Sequence, residues 1–470
     1  MSSSAESIDS RDQVQYIAIF GTRTRFVVMV LVLLSLTSVW SNILAFNFAM
    51  ICIADSNETS GGEEISFTKS QESWFTSVVA LAAFGANIPI TPFVNRFGIR
   101  TIFTGLGVLS AIATLLMPLA IRGGFAFVII ARALQGLAFS GNFPVIGVFC
   151  ARWTYFKQTG LFVSFLVAYV QLAPALTMPI SGALCTAFSW SSVFYSHGAV
   201  CLILFIVYAL FYRNSPQKHP FVGSVESGKI ERGKAAHKKG SVAIPFGAIL
   251  RTPAIWGVWI GAVGNFFAVN LLFLFSPVYF SAVLGMSTES TGITSALAPF
   301  AQFCMKIICG GISDRLKCCG EAAKFRLFNS LAFVGSAACF IILSFMSAET
   351  QTLNYVLVGG AGGFLGCATG GFFKAAPFLS KQYSHFVTGN ISQVLTSTMF
   401  VVPFIVNALT PKNTQDEWRW VFLITAAVQI VANLTFCLLV RGVPCKWTSP
   451  TWKPQDQIAD QPAANGTKRF

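Results

Sequence analysis

Charge is scarce in this sequence. Only 11% of its 470 residues are Asp, Glu, Lys or Arg, against about a quarter in soluble globular domains. A soluble fold of this length is excluded on that count. Carboxylates are missing where they would matter most: all eighteen Asp and Glu residues fall in polar stretches between or beyond the long apolar runs. A chain that moves protons through a membrane usually carries a carboxylate at depth, because that group binds and releases a proton at a useful pH. Such chemistry is not expected here. The four histidines, His197, His219, His237 and His385, are far apart, and no GxSxG, HExxH or P-loop pattern occurs. Neither an enzyme nor a metal or cofactor site is expected. The twelve cysteines are scattered without a CxxC pair, Cys318 and Cys319 being adjacent in a polar loop. They read as small apolar packing residues.

What the sequence has in abundance is apolar surface. It is 54% hydrophobic, with 46 Phe and a mean hydropathy of +0.65. Runs of about 20 apolar residues, enough to cross a bilayer as helix, recur along its length. They do not alternate apolar with polar positions, so they are helices and not barrel strands. Twelve spans are expected, near 26–53, 74–94, 101–120, 124–148, 159–182, 193–212, 253–284, 291–311, 327–347, 354–377, 386–409 and 420–440.

The net charge of +14 follows from topology and does not call for nucleic acid. Arg96 and Arg100, Arg152 and Lys157, Arg213 to Arg251, Arg315 to Arg326, Lys381, and Arg441 onward fall on one side of the spans; the other side holds only Lys69, Arg122, Lys412 and Arg419. This bias places both termini in the cytoplasm. The first 22 residues are polar and of mixed charge, unlike a cleavable signal peptide, so the first span itself is expected to serve as the targeting signal. Asn57, in the sequon Asn57-Glu58-Thr59 of the first outer loop, is the one expected glycan site, because Asn390, Asn433 and Asn465 fall in the membrane or on its inner side.

The longest polar break, Arg213 to Arg251, contains RNSPQKHP and GKIERGKAAHKKG and reads as a solvated linker beside the cytoplasmic leaflet. It divides the chain into a tail (1–25), six spans (26–212), a basic linker (213–252), six spans (253–440) and a second tail (441–470). An internal repeat agrees with this division. PFVNRFGIRT, Pro92 to Thr101, follows the second span, and GGISDRLK, Gly310 to Lys317, follows the eighth. Asn95, Arg96, Gly98 and Arg100 in the first copy, and Gly311, Asp314 and Arg315 in the second, are expected to gate the cytoplasmic face.

Three basic residues lie within spans: Arg132, Lys306 and Lys374. A charge at membrane depth costs roughly 2.5–3.5 kcal/mol on insertion scales. With no carboxylate to neutralise them, the missing anion is expected to be the cargo. Lys306 stands just before the cytoplasmic loop and can snorkel to it. Arg132 lies about two turns into the fourth span and is expected to face a central cavity. Lys374 can reach either the cavity or the cytoplasmic surface. Arginine suits bidentate binding of carboxylate or phosphate, and lysine acts as a point charge. Asn42 and Asn47, Gln171, and Asn265 and Asn270 are further cavity candidates or interhelical hydrogen-bonding groups. The glycine-rich Gly359 to Phe364 and Ala368 to Phe373 lie within an apolar span and read as close helix packing.

Six spans, a basic linker and six spans is the layout of the major facilitator fold, and the paired loops resemble that superfamily's loop signature, with Asn95 where an Asp is usual. More narrowly, RALQGLAFSGNFPV (Arg132 to Val145), WSSVFYSHG (Trp190 to Gly198), SPQKHP (Ser215 to Pro220), SPVYF (Ser276 to Phe280) and EWRWVFLI (Glu417 to Ile424) resemble the anion:cation symporter branch of that superfamily. This is the branch of sodium/phosphate cotransporters, sialin and vesicular glutamate transporters. The likeness runs from about Arg23 to Arg441. It implies a secondary or facilitative transporter of organic or inorganic anions whose two bundles rock about a central site, in a plasma-membrane or endolysosomal or vesicular membrane. The chain departs from the branch at Phe139, where a membrane glutamate is usual, and near Ala45 and at Asn265, where many members carry arginine. Around Ala375 to Phe378 an Asn and an Asp are replaced, with Lys374 just before them. Arg132 is the main matching charged position. The cargo and the coupling ion, sodium or proton, stay open, and a monomer in the lipid bilayer suffices. The competing reading is a non-transporting receptor or scaffold on the same fold.

Overall fold

The computed structural model describes residues 23–56, 59–60, 63–64, 67–154, 158–231, 244–316 and 319–449. The expected glycan site Asn57, the first 22 residues, linker residues 232–243 and the tail from residue 450 lie outside the described residues.

The described residues are helical, apart from connecting turns and a two-stranded hairpin of β1 (Thr59–Ser60) and β2 (Glu63–Glu64) between α1 and α2. The first bundle runs α1 (Thr24–Ser56), α2 (Lys69–Phe97), α3 (Ile99–Leu115), α4 (Met117–Gly123), α5 (Phe125–Phe139), α6 (Asn142–Trp153), α7 (Thr159–Val167), α8 (Tyr169–Ala187) and α9 (Trp190–Phe211). The linker holds α10 (Ser224–Glu231) and α11 (Phe246–Leu250). The second bundle follows as α12 (Pro253–Asn270), α13 (Ser276–Val278), α14 (Thr288–Ser295), α15 (Leu297–Arg315), α16 (Glu321–Ser344), α17 (Gln351–Gly366), α18 (Phe372–Ser380), α19 (Ser384–Leu409) and α20 (Gln415–Leu439). Helices α1, α3, α5, α8 and α9 pack together in the first bundle, and α12, α15, α16, α17, α19 and α20 in the second.

Among the described residues, ten helical segments are long and apolar enough to cross a membrane, and α3 with α4, bent by 50°, supplies an eleventh. The remaining expected span is α2. Its 29 residues would reach about 44 Å at helical rise, but Ser73, Thr76, Ser77, Asn87 and Asn95 lower its hydropathy. The second bundle accounts for three of these. Ser77 Oγ donates to Phe400 O at 2.8 Å, Ser73 Oγ accepts from Asn407 Nδ2 at 2.8 Å, and Asn87 Nδ2 donates to Gln393 Oε1 at 3.4 Å. The polarity of α2 thus belongs to an interface between bundles and not to a lipid face.

The second seam between bundles joins α8 to α14 and α15. A Cβ on Gly292 would lie 2.6 Å from Met178 O and 3.2 Å from Gly182 Cα, so two glycines bring backbone against backbone there. At mid-span, Gln171 Nε2 donates to Gln302 Oε1 at 3.3 Å. These contacts run from the helix ends on the side of the α1–α2 loop to the helix midpoints, and they hold the bundles together on that face. The glycine-rich tenth span packs as its composition suggests: a Cβ on Gly362 would meet Ala298 O at 2.5 Å, and one on Gly366 would meet Gln302 O at 2.6 Å.

Two expectations are corrected. The cysteines are not all packing residues. Cys52 and Cys185 form a disulfide across 133 residues of sequence, with a Cα–Cα distance of 6.2 Å, joining the C-terminal ends of α1 and α8. The linker, solvated by its composition, docks along its first part on the end of the first bundle where α1 begins and α9 finishes. Val222, Ile230, His219 and Glu226 are buried. Thr24 Oγ1 donates to Phe221 O at 2.7 Å, and the Arg25 amide donates to Glu226 Oε1 at 3.0 Å. His219 lies 3.1 Å by Nε2 from Phe211 O and edge-on to Trp153. Burial pushes its pKa below the usual histidine value, and Arg213 adds to this, against the opposing pull of the Phe211 carbonyl.

Candidate functional site

The placement of Arg132 begins with a glycine one turn away. A Cβ on Gly136 would fall 2.2 Å from Val79 O, a separation that no side chain tolerates, so α5 and α2 meet backbone to backbone. One turn outward on each helix stand Arg132 and Phe75, and the close approach brings Phe75 O within 2.9 Å of Arg132 Nε. Nη1 donates to Ile43 O on α1 at 3.0 Å and to Gln135 Oε1 at 2.8 Å. The guanidinium carbon lies 4.5 Å from the centre of the Phe46 ring. Each carbonyl belongs to a helix and offers its second lone pair. The side chain is fully buried, and Nη2 alone has no partner among the described residues.

Gln135 extends this brace. Its Nε2 donates to Thr114 Oγ1 at 2.8 Å and Asn42 O at 3.3 Å. Asn42 Nδ2 donates to Ser110 Oγ at 3.0 Å. A buried polar seam therefore links α1, α3 and α5, and Arg132 ties α2 to it. Of the other expected residues, Asn47 belongs to this neighbourhood: half-buried, it accepts from Thr76 Oγ1 at 3.5 Å. Phe139, at the position of the family glutamate, is buried and packs on Trp40 at 5.0 Å.

The second bundle's residues lie apart from Arg132. Asn270 Nδ2 donates to Thr398 Oγ1 at 3.0 Å, a bond between α12 and α19. Asn265 is buried, with its Oδ1 unpartnered among the described residues. Lys374 Nζ donates to Ser313 Oγ at 3.1 Å and Ser313 O at 3.3 Å. Arg132 lies before the middle of its span, Phe125–Trp153, and Lys374 after the middle of Gln351–Ser380. At 1.5 Å per residue they differ in depth by roughly 20 Å, so this form does not bring the two together.

Lys306 departs from the snorkelling expectation. Its Nζ points to the Phe373 ring on α18, 5.8 Å from the centroid, while Ile307 and Ile308 carry the exposed face of α15. Sequence proximity to the loop suggested otherwise; its i, i+4 relation to Gln302 is the signal that points inward.

In the first loop expected to gate, Gly98 has φ +82° and turns the chain from α2 into α3. Asn214 serves as its hub, a residue that the sequence pattern did not single out. Asn214 Oδ1 accepts from the Arg100 amide at 2.9 Å, and its carbonyl accepts from Arg152 Nη1 at 3.2 Å. Arg100 Nε donates to Ala209 O at 2.8 Å. Arg96 is exposed, over the Phe97 ring. In the second loop Gly311 and Arg315 are exposed; the side chains of Asn95 and Asp314 are outside the described residues.

Two helical bundles meeting along α2–α19 and α8–α14–α15 define a polytopic membrane transporter. The model of the Major Facilitator Superfamily matches residues 26–402. The chain belongs to that family, and it is a transporter, not an enzyme. It is 25% identical to sialin of Homo sapiens over 349 residues, covering 73% of this chain and 70% of that protein. It is 23% identical to vesicular glutamate transporter 1 of Xenopus tropicalis over 465 residues, covering 94% and 80%. These likenesses agree with the branch read from the fourth-span motif. In fold it is similar to a bacterial homolog of the human lysosomal transporter Spinster in an inward-facing and unoccupied conformation, with a TM-score of 0.69, 13% identity, and coverage of 89% of this chain and 97% of that one. It is also similar to a D-xylose-proton symporter, with a TM-score of 0.65, 13% identity, and coverage of 89% and 99%.

Proposed function

We propose that the chain carries small organic or inorganic anions across its membrane by alternating access, and that Arg132 is the principal anion-binding group of the first bundle. One observation carries this reading: a fully buried guanidinium keeps Nη2 without a partner, and no carboxylate stands near mid-span to neutralise it among the described residues. The Asp and Glu residues of the spanning helices lie in first or last turns, such as Glu72, Asp314, Asp416 and Glu417. A buried cation is costly unless it is compensated; carbonyls and Phe46 supply part of the compensation, and an anion would supply the rest. Relatives named as transporters weigh against the receptor reading. Uptake of labelled glutamate and inorganic phosphate into reconstituted vesicles, under imposed pH, sodium and voltage gradients, tests it. No uptake of either by correctly inserted protein would count against an anion carrier.

Both termini face the cytoplasm in this reading. Two independent observations support the orientation: the basic residues gather on that side, and the Cys52–Cys185 disulfide lies at the opposite ends of the helices, as suits an oxidising compartment. The membrane is the plasma membrane or an endolysosomal or vesicular one. Asn57 is the glycan site; a glycosidase-sensitive mobility shift that persists in Asn57→Gln would reverse this topology.

A further inference from the structure

Resting on the anion-carrier reading above, we infer that Lys306 is the anion contact of the second bundle and the cation that a substrate arriving from the cytoplasm meets first. Gln302 marks the direction of this helix face. It is buried and bonded across the bundle seam to Gln171. Lys306 lies one turn further toward the cytoplasm, at i+4, and so on the same face. The opposite face, with Ile307 and Ile308, is the exposed one. Phe373 fixes the ammonium from the side of α18 and is itself packed edge-on against Phe266 of α12. A ring face is the only partner of Lys306 among the described residues, with neither an ion pair nor a hydrogen bond. Lys374, by contrast, is engaged by Ser313.

Depth supports the same assignment. Arg132 stands about two turns outward of the middle of its span, and Lys306 about one turn to the cytoplasmic side of the middle of Thr288–Ser313 and its continuation to Arg315. The seams hold the bundles together on the outer side, so on this reading the anion enters from the cytoplasmic side. It reaches Lys306 before Arg132, which has no exposed surface. Moving inward from one cation to the other would carry it from the second bundle toward the first, and would draw the bundles together around it. As an ammonium, Lys306 selects for charge and not for shape.

The test uses full-length protein in vesicles, with labelled L-glutamate, inorganic phosphate and sulfate as probes. For any probe that the unaltered protein carries, Lys306→Gln raises KM about tenfold or more, the loss expected for one charge-assisted contact, and Lys306→Arg stays within a few-fold of the parent. Lys306→Cys is impaired; 2-aminoethyl methanethiosulfonate, which restores an ammonium, recovers uptake, while the 2-sulfonatoethyl reagent does not. The parent treated with each reagent controls for the native thiols. A packing role would not respond to the sign of the added charge, so equal recovery by both reagents overturns the inference. An unchanged KM in Lys306→Gln overturns it too, while leaving anion transport standing. If the unaltered protein carries none of the three probes, the carrier reading falls and this inference falls with it.

Discussion

Replacing Gly292 by alanine should open the outer face. The added Cβ would lie 2.6 Å from Met178 O and 3.2 Å from Gly182 Cα. Both are backbone atoms of α8 and cannot swing aside as a side chain would, so the two helices must separate. Overpacking of this kind costs typically about 1–3 kcal/mol. If α8 and α14 part when the outer face opens, the cost falls on the closed form alone, and the balance moves toward the open form by about 5–150-fold. Ser77 reports the change. It is fully buried and bonded to Phe400 O across the α2–α19 seam, so a thiol placed there by Ser77→Cys should react with an impermeant maleimide only when the seam opens. Adding Gly292→Ala should raise that labelling rate by the population shift. Gly182→Ala should raise it less, because its Cβ would come no nearer than 3.1 Å to Thr288 O. A labelling rate unchanged by Gly292→Ala in folded protein, or a larger effect from Gly182→Ala, would refute the assignment of this glycine pair to the outer gate.

Arg132→Lys keeps the charge but cannot serve carbonyls on two helices at once; uptake per delivered molecule should fall at least about tenfold, and near-normal uptake would remove Arg132 from the site. With Phe139 in place of a glutamate, anion uptake at clamped voltage should survive collapse of the pH gradient, and its loss would show a proton-coupling group elsewhere. Cys52→Ser should leave Cys185 reactive to impermeant maleimide from the outer side and lower the midpoint of thermal unfolding, whereas an unreactive Cys185 would contradict the tie. Because burial lowers the His219 pKa, its neutral form is favoured in the folded protein. The docking of the linker is then fully stable above the unfolded histidine value, about 6.5, and weakens as pH falls below it; protease sensitivity of the linker should rise on acidification, and His219→Gln should abolish that pH dependence.

Much of the fold is legible in the sequence because a bilayer imposes it. Span length and the recurrence of long apolar runs follow from local composition, and they point to a helical membrane fold. Arg132 is likewise legible, as a charge without a counter-charge. What composition cannot show is which groups meet across distant helices. The polarity of α2 looks like a weak span until Ser77 and Asn87 are seen to bond with α19. Cys52 and Cys185 carry no spacing signal across 133 residues. Lys306 is close to a cytoplasmic loop along the chain, and only the Gln171–Gln302 bond reveals that its helix face turns inward. The linker's polar letters conceal Val222 and Ile230, whose few apolar side chains suffice to dock it.

The Cys52–Cys185 disulfide adds a covalent tie between two helices that already pack along their length. At its outer end α8 carries Gly182, pressed against the second bundle, and α1 carries Ile43 and Phe46, which hold the Arg132 guanidinium. With their outer tips fastened, the two helices behave as one crank: a displacement felt by α8 at the seam is passed to the cradle of the buried cation instead of being absorbed by bending α8 alone. Such a fastening forms only where thiols are oxidised. A newly made copy still awaiting oxidation would have the packing between the two helices without the covalent fastening, so its maturation in an oxidising compartment would tighten the coupling between gate and binding group.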